Sequence, residues 1–67
     1  MFKEYDVVIA KSNFDNVLKG TSGTILIIYS DQRHYEVEFV DNEGNTLNIL
    51  TVNENEIELA GLDTASG

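Results

Sequence analysis

Leu18-Lys19-Gly20-Thr21-Ser22-Gly23-Thr24-Ile25 leads to Tyr35-Glu36-Val37-Glu38-Phe39 and then to Asp41-Asn42-Glu43-Gly44. Glycine adopts positive φ without steric cost, so Gly20 and Gly23 predict a tight turn that opens a strand. Side chains alternate across a strand, so Tyr35, Val37 and Phe39 line one face, and Glu36 and Glu38 the other. The Asp41–Gly44 segment reads as a hairpin turn, with glycine at its left-handed position. Turn, strand, strand and hairpin in this order give an antiparallel sheet. No Gly-Lys-Ser/Thr ending and no helix follow Gly23, which excludes a phosphate loop.

Outward from this segment, Asp6–Ala10 is a short β-branched run and predicts the first strand. Residues 11–19 form a polar loop that holds Phe14, Val17 and Leu18. Phe14 or Leu18 folds back to cap the core, and Asn16–Lys19 can form one helical turn that Gly20 ends. Thr24–Tyr29 is the second strand, Ser30–Arg33 a turn, His34–Val40 the third strand and Thr46–Val52 the fourth. Asn53–Glu56 reads as a 3₁₀ turn before a short last strand, Ile57–Leu59. The expected fold is all-β, a small five-stranded antiparallel SH3-like barrel over residues 1–60, with a flexible tail over 61–67. The second strand is apolar on both faces, and only one set can point into so small a core. Ile25 and Ile27 are expected inside with Val8, Val37, Phe39 and Ile49. Leu26 and Ile28 are expected outside with Val40 and Leu50.

A chain of 67 residues makes one domain. At this size about 60% of the unfolded surface is buried, which leaves a stability of a few kcal/mol. There is no cysteine, which excludes a disulfide framework, a thiolate metal site and a cysteine nucleophile. That absence leans toward the cytoplasm. The first residues alternate charge with aromatics and do not read as a signal peptide. Twelve acidic residues against four basic ones give a net charge of −8. This repels nucleic acid and anionic membrane and attracts a basic partner.

Asp6-Val7-Val8, Leu18-Lys19-Gly20, Gly23-Thr24-Ile25, Tyr29, Tyr35-Glu36-Val37-Glu38-Phe39, Asp41, Gly44 and Ile57-Glu58-Leu59 together resemble a family of short bacterial proteins described as a domain of unknown function. The likeness runs from about Tyr5 to Leu59. It implies an SH3-like barrel and brings no activity, cofactor or catalytic residue with it. The Gly20-x-x-Gly23-x-Ile25 segment is also similar to the KOW motif of ribosomal and transcription-elongation proteins. Those proteins bring basic residues to RNA, whereas this chain has only Lys3, Lys11, Lys19 and Arg33.

His34 is the only histidine. Without a second histidine, a cysteine or a serine motif, it predicts the surface start of a strand rather than a general base. Asp41-Asn42-Glu43-Gly44-Asn45 has a superficial likeness to a calcium loop but lacks its spacing and closing glutamate, so no metal or cofactor is expected. Tyr5, Tyr29 and Tyr35 do not match the spacing of a proline-peptide groove and read as packed tyrosines with hydroxyls at the surface. The carboxylates Glu36, Glu38, Asp41 and Glu43 are either a solvated face or a docking face. With Leu26 and Ile28 beside them as apolar anchors, they form the expected partner-binding site. The expected function is a small acidic non-enzymatic interaction module, in one version an antitoxin or immunity-type protein that docks onto a basic partner. The alternative is a self-associating module, possible as a homodimer, paired through the outer face of the second strand.

Overall fold

The computed structural model describes residues 2–61. Its strands are β1 (Val7–Ala10), β2 (Ser22–Ile28), β3 (His34–Val40), β4 (Thr46–Asn53) and β5 (Ile57–Leu59), with a 3₁₀ turn at Glu54–Glu56. The chain is all-β, with every pairing antiparallel in one sheet of order β4-β3-β2-β1-β5. Apart from Gly61, the tail expected over 61–67 lies outside the described residues. The Ala60 N–H still bonds the Val7 carbonyl at 2.9 Å, so β5 stays tied to β1 to that point.

This strand order forces the sheet to curl. In a flat sheet the edge strands β4 and β5 would lie about 19 Å apart, while three residues of 3₁₀ helix rise only about 6 Å. The turn touches both sides of the gap it spans. The Glu54 N–H donates to the Arg33 carbonyl at 2.8 Å, and the Lys11 N–H donates to the Glu56 carbonyl at 2.8 Å. A reciprocal cap fixes it: Asn53 Oδ1 accepts from the Asn55 N–H at 2.9 Å, and Glu56 Oε1 accepts from the Asn53 N–H at 2.8 Å. The ladder itself stays open, since β4 and β5 are its two edges.

The core contains Val8, Ile25, Tyr35, Val37, Phe39, Val52 and Ile57, each at most 2% exposed. Phe2 packs edge-on against Tyr35 at 5.3 Å and Phe14 against Phe39 at 5.6 Å, which closes the two ends. Leu18 plays no such part and is 66% exposed. The loop makes no helical turn at Asn16–Lys19. Phe14 and Val17 instead exchange both backbone hydrogen bonds, at 2.8 and 2.9 Å, in a two-residue hairpin with Asp15 at φ 50°. This hairpin drives Val17 fully into the core.

Two expectations about β2 need correction. The strand begins at Ser22, so Gly23 lies inside it, opposite Phe39. The turn belongs to Gly20, at φ 93°, closed by the Thr21 N–H on the Leu18 carbonyl. Gly23 is required for a different reason: a Cβ there would come within 2.6 Å of Val37 Cγ1 and 2.9 Å of Phe39 Cδ1. The second correction concerns facing. Ile25 stands opposite Val37, but Ile27 stands opposite Glu36, so β2 carries one extra residue, Leu26, in a bulge. Past the bulge the alternation flips. Ile27 is 47% exposed, and Ile49, opposite Glu38, is 48% exposed. Neither belongs to the core, whereas Leu50, opposite Val37, packs against it.

Candidate functional site

The register lays out the outer face of the sheet in rows. One row runs Ile49, Glu38, Thr24, Val7 across β4, β3, β2 and β1. The next runs Thr51, Glu36, Ile27. Residues paired in register share a face, so apolar Val7, Ile27 and Ile49 stand among the carboxylates of β3. Val7 is half exposed, like the two isoleucines. β3 makes this arrangement because its strict alternation buries Tyr35, Val37 and Phe39 and turns both glutamates outward. It lies between β2 and β4, so both glutamates are partly buried.

The two glutamates are held by hydroxyls. Tyr29 Oη donates to Glu36 Oε1 at 2.8 Å, and Thr46 Oγ1 donates to Glu38 Oε2. Among the described residues the one ion-pair contact is His34 Nδ1 to Asp31 Oδ2, at 2.6 Å, so no lysine or arginine side chain neutralises Glu36 or Glu38. The face therefore combines uncovered apolar area with uncompensated negative charge, the two components of an electrostatically selective protein contact.

The other expected site residues fall elsewhere. Asp41 is consumed by its own turn: Oδ1 accepts from the Glu43 and Asn45 N–H groups at 2.9 Å, and Oδ2 accepts from Asn45 Nδ2. These bonds, the Asn45 N–H foremost, hold its carboxyl below the usual carboxylate range. Glu43 is exposed in the same turn, before Gly44 at φ 86°. Leu26 is the half-buried bulge residue, and Ile28 is exposed as expected but pairs with core-facing Tyr35 rather than with a glutamate. Of the six expected residues, Glu36 and Glu38 form the centre of the patch, and Ile27 and Ile49 take the place of Leu26 and Ile28. An unbroken Ile25-Leu26-Ile27-Ile28 run in a half-buried strand was the available signal, since strict alternation cannot place four apolar residues well.

His34 lies beside this face, in a shallow cleft of about 360 Å³ lined by Tyr29, Ser30, Asp31, His34 and Thr51. Asp31 Oδ1 accepts from the Arg33 and His34 N–H groups at 2.9 and 3.1 Å, an Asx turn that closes the β2–β3 connection. The Arg33 N–H, then the His34 ring, lower the Asp31 carboxyl to about 2. The pair thus fixes the turn from which β3 starts. Among the described residues no group of three His, Asp or Glu side chains is placed to hold a metal ion. No helix among the described residues is long and apolar enough to cross a membrane.

No curated protein and no solved structure matches the chain. Residues 4–59 match the family described as "Domain of unknown function (DUF4926)", and the chain belongs to that family.

Proposed function

We propose that this chain is a small, acidic, non-enzymatic interaction module whose outer sheet face docks onto a basic protein surface. The observation that supports it is the placement of Glu36 and Glu38, unpaired with any cation, between the exposed apolar side chains of Val7, Ile27 and Ile49. The apolar residues supply buried area at the centre of the contact. The carboxylates select a cationic partner and speed its approach. In its most concrete version, the module is a bacterial, cytoplasmic antitoxin or immunity-type protein that covers the basic active site of a nuclease. The net charge of −8 suits that partner and disfavours nucleic acid itself.

The test uses tagged wild-type chain and the Glu36→Lys/Glu38→Lys variant as baits in an extract of the native cell, at low and high salt. This reading expects a basic protein retained by the wild type at low salt, released at high salt and lost from the variant. Equal retention by both baits removes this face from the mechanism.

A further inference from the structure

β4 is an eight-residue edge strand, Thr46–Asn53, without a charged residue or a proline. Such an edge is a template for pairing with another strand, and native proteins blunt it with charge, proline or a covering segment. The other edge, β5, has three residues with Glu58 at its middle. On β4 the blunting is done by amides and one carboxylate. The Ile49 N–H donates to Asn48 Oδ1 at 2.9 Å, and the Asn53 N–H donates to Glu56 Oε1 at 2.8 Å. Antiparallel ladders alternate the direction of their backbone groups, so Ile49, Thr51 and Asn53 face the open edge. Next to Ile49, Asn16 Nδ2 donates to the Leu47 carbonyl at 3.3 Å. Asn16 Oδ1 accepts from Asn48 Nδ2 at 3.0 Å, which fixes the Asn48 amide in place.

We propose that Asn16 and Asn48 form an edge guard. Asn48 occupies the Ile49 N–H, one of the edge groups through which β4 would pair antiparallel with β4 of a second copy. Asn16 holds the Asn48 amide in place and covers the Leu47 carbonyl beside it, so that the chain stays a monomer. The occupant kept out is a second copy because of where the charge lies. Face-to-face association would set Glu36 and Glu38 against their own counterparts. Edge pairing about Thr51 sets Thr51 against Thr51 and Ile49 against Asn53, with no carboxylates directly opposed. The guard thereby leaves the outer face free for a different partner. It does not depend on that partner's existence.

Asn48→Val keeps a strand-favouring side chain while removing both the cap on the Ile49 N–H and the anchor of Asn16. In sedimentation velocity the wild type stays monomeric, and Asn48→Val dimerises at a concentration lower by about tenfold or more, the effect of about 1.4 kcal/mol from regained edge hydrogen bonds. Amide exchange at Thr51 slows in that dimer, and adding Thr51→Lys returns it to monomer. Asn16→Ala changes no strand residue and shifts association in the same direction. The proposal is overturned by a folded Asn48→Val or Asn16→Ala that associates no more than the wild type, by a wild-type dimer with a protected Thr51 amide, or by a variant dimer that Thr51→Lys leaves intact.

Discussion

Ile27 of β2 stands directly opposite Glu36 of β3, one strand position after Ile25 stands opposite Val37. A single inserted residue, Leu26, separates a core isoleucine from a surface isoleucine. The insertion joins an apolar side chain to the acidic row of β3 and so creates the mixed patch. Because burial differs so sharply across the bulge, truncation of the two isoleucines separates them. Ile25→Ala removes a fully buried side chain and should cost about 2–5 kcal/mol, enough to unfold much of a domain this small. Ile27→Ala should stay within about 1 kcal/mol of wild type. Urea unfolding of both variants checks this, and equal losses would contradict the facing of β2.

Gly23 and Gly44 should fail differently when changed to alanine. At Gly23 the added methyl collides with Val37 and Phe39, and overpacking of this kind costs about 1–3 kcal/mol. At Gly44 there is open space, and only the strain at φ 86° opposes alanine, about 1 kcal/mol. Denaturation midpoints should therefore rank Gly44→Ala above Gly23→Ala.

Gln32 sits at φ 59° with an exposed side chain, in a turn closed by its N–H on the Tyr29 carbonyl. Glycine relieves that conformation, whereas alanine does not. Gln32→Gly should raise stability by about 0.5–1 kcal/mol, and Gln32→Ala should not, as read from thermal or urea midpoints.

Asp31 supplies a pH dependence. Its folded carboxyl titrates near 2, below its ordinary 3.8, because the Arg33 N–H and the His34 side chain favour the charged form. Its contribution to stability is thus complete above the ordinary value and is lost as pH falls toward 2. Asp31→Asn should flatten the loss of stability over this range. Carbon-detected titration of the Asp31 carboxyl should show a midpoint well below that of an ordinary aspartate.

Much of the fold was legible in the residues themselves. The alternation in His34–Val40, the Asp41–Gly44 turn and the 3₁₀ turn before Ile57 occur where local chemistry places them. The two outward glutamates follow from the same alternation. What could not be read was the register between strands. The apolar run Ile25–Ile28 signals that strict alternation fails, but nothing local to Leu26 marks it as the residue that bulges, because the slip appears only in the pairing of β2 with β3. Gly23 shows the same limit, since its need is a close approach by Val37 and Phe39 from β3 and not a backbone angle. The Phe14–Val17 hairpin likewise formed where a helical turn was equally compatible with the local residues, because it buries Val17.

The proposed docking surface consists of Ile27, Glu36, Glu38 and Ile49. Its most direct test is an amide-shift map of the isotope-labelled chain, titrated with the basic protein captured on the wild-type bait. Shifts are expected to concentrate at Ile27, Glu36, Glu38, Ile49 and Thr51, to weaken with added salt and to be absent in Glu36→Lys/Glu38→Lys. Shifts centred instead on the Gly20 and Asp41 turns, with that variant binding as the wild type does, would contradict it.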